Sequence, residues 1–264
     1  MNRRRFFGVA VGALGVAAGI VGEEEALALP AGWALSRNGP SQNRVPAATT
    51  DGAEKGASLR AAGEGRGILV GSAISAAGIT ADAELAALIP QQCSIVVAEN
   101  DMKWLFTQPE PSRYDFTRAD VVASFAEKNG LKLRGHNLCW HHSLPQWVEK
   151  MATKENAAEI LRQHITAVAG RYAGKIQSWD VVNEAIELKD GRSDGMRDSL
   201  WMKLLGPQYL AIAYGTAAKI DPQAKLTYND FGLEGDTKYH DERRRVCLGQ
   251  AHSDSGAGVA VAFA

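Results

Sequence analysis

Short apolar, β-branched runs recur along the chain at 68–73, 94–98, 131–135, 177–182 and 225–228, each of strand length and bounded by Gly, Pro or polar residues. Between them, 81–90, 118–129, 155–172 and 209–220 place apolar residues three and four apart, the spacing of one helix face. Strict alternation of buried strands with helices implies right-handed βαβ units and a parallel sheet, either doubly wound or closed into a barrel. The polar positions choose between these. Glu99-Asn100, His136-Asn137, Asn183-Glu184 and Asn229-Asp230 each directly follow a predicted strand, and barrel enzymes carry their chemistry at those C-terminal strand ends. No G-x-G-x-x-G turn follows the first strand. The predicted fold class is α/β, a (β/α)8 TIM barrel with about five of its eight strand–helix units present, occupying 68–245.

The flanks carry no such pattern. Arg3, Arg4 and Arg5 lead into an apolar Gly/Ala/Val run over 6–22 and then Ala26-Leu27-Ala28, the layout of a cleavable signal peptide over 1–28. Arg3-Arg4 before Phe6 is twin-arginine-like, so a secreted or periplasmic protein is expected. The run is shorter and richer in glycine than the ~20 residues that span a bilayer core, so no stable membrane anchor is expected. Residues 29–67 are rich in Gly, Ala, Pro, Ser and Asn without a period and read as a linker or poorly ordered lead-in. After Arg245 the texture changes to a Ser/Gly/Ala/Val tail over 246–264 with no strand–helix alternation. With only five units counted, this predicts that the chain breaks off before the barrel closes, through a frameshift or a shortened reading frame, the alternative being a natural flexible C-terminus.

Composition narrows the partner. A formal net charge of -1 gives no basic surface for nucleic acid or an anionic membrane, and a neutral substrate fits better. Cys93, Cys139 and Cys247 are too few and too scattered for a disulfide framework. His136, Cys139, His141 and His142 are zinc-competent types. Side chains that alternate along a strand end do not all converge, however, and the spacing matches no standard finger, so neither metal nor cofactor is expected.

Four polar clusters carry the chemistry. Trp179-Asp180-Val181-Val182-Asn183-Glu184-Ala185 resembles the fourth-strand motif of family 10 glycoside hydrolases, the endo-1,4-β-xylanases. The resemblance implies that Glu184 is the general acid/base and that Asn183 binds the sugar 2-hydroxyl at subsite -1. Glu99-Asn100-Asp101-Met102-Lys103-Trp104 is similar to the second-strand motif, which implies that Glu99, Asn100 and Lys103 bind xylose at subsite -2. Gly135-His136-Asn137-Leu138-Cys139-Trp140-His141 is similar to the third-strand motif, implying that His136 and Trp140 line subsite -1. Here His142-Ser143 stands where many relatives have Ser-Gln. Tyr228-Asn229-Asp230-Phe231 resembles the fifth-strand motif and implies aglycone-side binding by Tyr228 and Asn229. Physical sense supports these types: a neutral polyol is gripped by amides, carboxylates and an ammonium as hydrogen-bond partners, and an indole supplies apolar wall. Taken singly, each has a plainer reading: Glu184 as a helix cap, Glu99 and Lys103 as an exposed i,i+4 pair, His141 as a buried structural histidine.

The family implies retaining hydrolysis of xylan or xylo-oligosaccharides, with two carboxyls roughly 5 to 5.5 Å apart, one donating the proton and one attacking the anomeric carbon. The nucleophile of the family sits in a Thr-Glu-Leu-Asp-like motif on the seventh strand, and no Thr-Glu pair occurs in this chain. Glu234, Asp236 and Glu242 stand in no such context. Three alternatives remain open: an active xylanase, a catalytically inert xylan-binding fragment, or a family 5-like β-glucanase, which also places Asn-Glu after a fourth strand.

Overall fold

The structure, a computed structural model, describes residues 58–231 and the backbone of 260–263. The predicted signal segment, the lead-in before residue 58, Glu234, Asp236, Glu242, Cys247 and the rest of the tail lie outside the described residues. In chain order the elements are α1 (Leu59–Glu64), β1 (Gly71–Ile74), α2 (Ala76–Ala81), α3 (Ala83–Gln92), β2 (Ile95–Ala98), α4 (Trp104–Thr107) and α5 (Thr117–Lys128). They continue as β3 (Lys132–Cys139), α6 (Gln146–Met151), α7 (Ala157–Arg171), β4 (Ser178–Asn183), a 3-10 turn at Leu188–Asp190, α8 (Leu200–Leu205), α9 (Gln208–Ile220), β5 (Lys225–Asp230) and β6 (Ala260–Phe263). The six strands form one sheet in the order β1 to β6, every neighbouring pair parallel. Consecutive order without a reversal point is barrel topology, since a doubly wound sheet must switch direction.

The long helices follow their sequence pattern. Leu161, His164, Ile165, Val168 and Ala169 of α7 are buried at three- and four-residue spacing, with Glu159 in the first turn and Arg171 in the last, matching the helix dipole. Tyr209, Leu210, Ala213, Tyr214 and Ala217 form the buried face of α9, which packs against α7. The short helices arise from caps instead. Ser58, Ser75, Asp82 and Ser199 each accept a hydrogen bond from the backbone N–H three residues on, starting α1, α2, α3 and α8. Helix α1 lies inside the stretch read from sequence as linker. It is specified by docking: the Leu59 N–H donates to Gln92 Oε1 and Arg60 Nη1 to the Pro90 carbonyl, both on α3.

Three strands extend further than the apolar runs suggest. β3 continues to Cys139, with a register irregularity between His136 and Cys139 and a cis peptide at His136-Asn137, so His136 lies in the strand and not after it. Asn183 and Asn229-Asp230 are likewise the last residues of β4 and β5. β6 lies in the tail, where composition predicts no strand; Ala260-Val261-Ala262-Phe263, with one β-branched and one aromatic residue, pairs along Thr227 to Asp230. Among the described residues no helix is long and apolar enough to cross a membrane.

One buried ion group locks the central strands. Asp180 on β4, 1% exposed, accepts Nε and Nη2 of Arg134 from β3 (2.9 and 2.8 Å), pairs with His136 Nδ1 at 2.9 Å and accepts the Thr227 hydroxyl of β5 at 2.7 Å. Burial acts to raise its pKa, but the His136 hydrogen bond and the Arg134 charge outweigh burial and hold the carboxyl below the usual aspartate range. Trp179 beside it is fully buried, its ring pressed against Gly135.

Two outcomes follow for stability. A Cβ at Gly135 would stand 2.1 Å from the Trp179 ring, so Gly135→Ala is expected to destabilise by about 3 kcal/mol or more, read as a lowered urea midpoint. An unchanged midpoint contradicts this packing. Asp180→Asn leaves the Arg134 guanidinium without its anion and is expected to cost about 3 kcal/mol or more near neutral pH. Because the folded pKa is depressed, the carboxylate's contribution is complete above the unfolded value of about 3.9 and is lost as pH falls through the folded value. The melting temperatures of wild type and variant therefore begin to converge below about pH 4 and close once the pH is below the depressed folded value; a gap that stays constant with pH contradicts the assignment.

Candidate active site

The strand ends of β2 to β5 collect the polar residues singled out by sequence. On β3, β4 and β5 they form one directed relay. Arg134 can only donate, so the Nη2 that reaches Asn229 selects its amide oxygen, at 2.8 Å. That leaves the Asn229 Nδ2 to donate to Asn183 Oδ1 at 2.7 Å. Asn183 Nδ2 then donates to Glu184 Oε1 at 3.2 Å. The guanidinium thereby sets both amide orientations, Asn229 directly and Asn183 one link further on. Asn183 and Asn229 are 3% and 7% exposed, so rotation would leave buried polar atoms unpaired.

Glu184 itself is half-buried and sits at φ 53°. A residue with a Cβ in that left-handed region carries roughly 1–2 kcal/mol of strain, of the kind concentrated at functional sites. Its N–H donates to the Asn229 carbonyl at 2.8 Å, and its carbonyl accepts from Arg197 Nε at 2.7 Å.

A second group stands beside the relay. Lys103 Nζ donates to Asn100 Oδ1 at 2.8 Å and lies 4.9 Å from the centre of the Trp140 ring, within cation–π range. Burial pulls the Lys103 ammonium below the usual lysine range, while the Glu99 and Glu184 carboxylates act against that shift. Lys103 thus feels both carboxylates, which links the second-strand cluster to Glu184. Glu99 is exposed and is anchored by its N–H on the Ile74 carbonyl of β1. Trp140 is fixed from behind: its carbonyl accepts from Trp201 Nε1 at 3.0 Å. Trp201 and His164 both stack on Trp104, at 5.4 and 3.6 Å between centroids. Burial holds His164 well below the usual histidine pKa, so it is a neutral packing ring, its Nδ1 on Gln108.

The structure departs from the sequence reading at Tyr228. It is fully buried, its hydroxyl accepting the Ala185 N–H at 2.9 Å and donating to Asp230 Oδ2 at 2.5 Å. Its place is beneath the site, supporting the backbone next to Glu184, whereas aglycone binding needs an accessible hydroxyl. Asn229 is likewise spent on the relay. His141 is half-buried and lines the same cavity as Trp140, Asn183 and Glu184; burial, then the Arg197 and His142 charges, pull its pKa down to about 3 against the opposing pull of Asp190. Among the described residues no group of three or more His, Cys, Asp or Glu converges as a metal site.

Arg134, Asp180, Thr227 and Arg197 are site residues that motif reading leaves out. The available signal for the first two was a charge inside a strand buried on both faces, which cannot stand without a partner. Arg197 lies in the loop after β4 and carries no such signal.

Known proteins resemble the chain in sequence and fold. Over 148 residues the chain is 46% identical to Endo-1,4-beta-xylanase A of Humicola insolens, covering 56% of this chain and 38% of that protein. Over 151 residues it is 42% identical to a Beta-1,4-xylanase of Dictyoglomus thermophilum, covering 57% and 42%. Among solved structures it superposes on xylanase 10B of Thermotoga petrophila RKU-1 in complex with xylobiose, with a TM-score of 0.71, 31% identity, and 80% of this chain and 64% of that chain covered. Xylanase XynB of Paenibacillus barcinonensis gives a TM-score of 0.71 and 33% identity, with 80% and 62% covered. The chain spans about two fifths of the length of these curated relatives, and its sheet corresponds to part of their barrel. Residues 58–247 match the model for Glycosyl hydrolase family 10, which displaces the family 5-like reading: the chain belongs to glycosyl hydrolase family 10.

Proposed function

We propose that this chain carries the sugar-binding and proton-donating side of an endo-1,4-β-xylanase active site, with Glu184 as the general acid/base acting on β-1,4-linked xylose units. The observation that carries the reading is the relay from Arg134 through Asn229 and Asn183 to Glu184, which holds a carboxyl at a strand end at a set orientation. Glu99, Asn100 and Lys103 supply donors and acceptors for hydroxyls on the neighbouring sugar, and Trp140 supplies the apolar wall. In a retaining reaction Glu184 donates its proton to the glycosidic oxygen as the bond breaks, then takes one from the water that releases the sugar. Residues 1–28 are proposed to direct export, on the strength of the arginine cluster and the apolar run.

A second reading has a specific observation behind it. Lys103 held by Asn100 and set over the Trp140 ring gathers sugar-binding groups that need no second carboxyl, and the second reading is a chain that binds xylan without cleaving it. The two readings separate on one experiment: release of reducing ends from xylan by the soluble full chain and by Glu184→Gln, with xylan retention measured on the same samples. Hydrolysis that falls by roughly 10²- to 10⁴-fold in Glu184→Gln, with retention preserved, supports the acid/base reading. Retention without hydrolysis in either protein supports the binding reading, and absence of both contradicts each of them.

A further inference from the structure

Residues 184 and 185 have all four backbone polar groups engaged. On one side β5 supplies the partners: the Glu184 N–H donates to the Asn229 carbonyl and the Ala185 N–H to the Tyr228 hydroxyl, at 2.8 and 2.9 Å. On the other side a single residue supplies both donors. Arg197 gives its Nε to the Glu184 carbonyl at 2.7 Å and its own backbone N–H to the Ala185 carbonyl at 2.7 Å.

Arg197 is itself held in place. Its side chain is 14% exposed, its Nη2 reaches Glu187 Oε2 at 3.4 Å, and its strand-like segment is bridged to the chain after Glu184 by the Ile186–Met196 pair. The Glu187 N–H adds a bond to the Gly195 carbonyl at 3.1 Å. The loop after β4 therefore folds back on its own origin and returns a guanidinium to the residue that left the strand.

We infer that Arg197 is a positioning residue for the proton-transfer step, fixing through the Glu184 carbonyl the left-handed backbone from which the Glu184 carboxyl projects. The inference rests on the acid/base reading of Glu184. A general acid works only within hydrogen-bond reach of the oxygen it protonates, and small displacements of such a group are costly in rate. The relay through Asn183 grips the carboxyl end of the side chain; Arg197 grips its backbone end. Both N–H groups keep their partners on β5 when the guanidinium is removed, so the sheet persists, but residues 184 and 185 are held from one side only and open more often.

The test compares the full chain with Arg197→Met and Arg197→Lys on two aryl β-xylobiosides. One has a 2,4-dinitrophenolate leaving group, which departs without a proton, and the other a phenolate, which needs one. Arg197→Met is expected to lose about 100-fold in kcat/KM on the phenyl substrate and less than about 3-fold on the dinitrophenyl substrate, with KM little changed. Arg197→Lys, which keeps a donor, is expected to recover part of the loss, and it carries the same comparison should Arg197→Met not fold. Equal losses on both substrates, or no loss on either, overturn the inference. A wild-type chain inert on both substrates, including the one that needs no proton, reports that no nucleophile attacks the anomeric carbon, which is a failure separate from the acid/base reading. Arg197 is then judged by amide hydrogen exchange in the same proteins: exchange at Glu184 and Ala185 faster by about tenfold relative to Val181 supports the positioning role, and unchanged exchange overturns it.

Discussion

The carboxylate of Asp180, buried at the meeting of β3, β4 and β5, has to be neutralised where it stands, because an isolated charge in an apolar interior is far costlier than the net stability of a domain. The structure meets this with a guanidinium from β3, an imidazole from β3 and a hydroxyl from β5. Those partners reach Asp180 only if Arg134, His136 and Thr227 face it, and a register slip of one residue would turn each to the opposite face. The ion group therefore fixes the alignment of three strands. Arg134 also has a donor to spare, and that donor starts the amide relay that ends on Glu184. Strand register and the orientation of the proposed acid are in this sense one constraint.

Much of the architecture was legible because it is periodic. The five strand runs and four long helices are found within a few residues of their expected places, and the order of polar strand ends pointed to a barrel topology. What escaped was short or non-local. Helices α1, α2, α4, α6 and α8 have four to six residues, too few to show a period, and those that begin at Ser58, Ser75 and Ser199 depend on a cap and on docking. β3 was read too short because His136-Asn137-Leu138-Cys139 lacks an apolar-only run, yet it stays in the sheet through a register irregularity.

The site divides the same way. The motif residues were found because each follows or ends a strand in a recognisable order. Their supports were not, since nothing local marks Arg134 as the partner of a residue 46 positions away or Arg197 as the holder of Glu184. Tyr228 shows the reverse error. A tyrosine in a binding motif invites a role in contact with ligand, whereas its zero exposure and doubly engaged hydroxyl assign it to the support beneath Ala185.

Lys103, Trp140 and the Glu184 relay are proposed to form one surface for β-1,4-linked xylose. Trp140 reports on it most directly, because its Nε1 is buried without a hydrogen-bond partner among the described residues and its ring lies under Lys103. Titration of the isotopically labelled full chain with xylobiose, followed by nuclear magnetic resonance, should shift the Trp140 indole N–H together with the amides of Glu99, Asn100 and Glu184 along one saturable curve, with cellobiose giving a weaker response. Unmoved Trp140 and Glu184 signals at xylobiose concentrations that saturate an intact family 10 xylanase would contradict the claim.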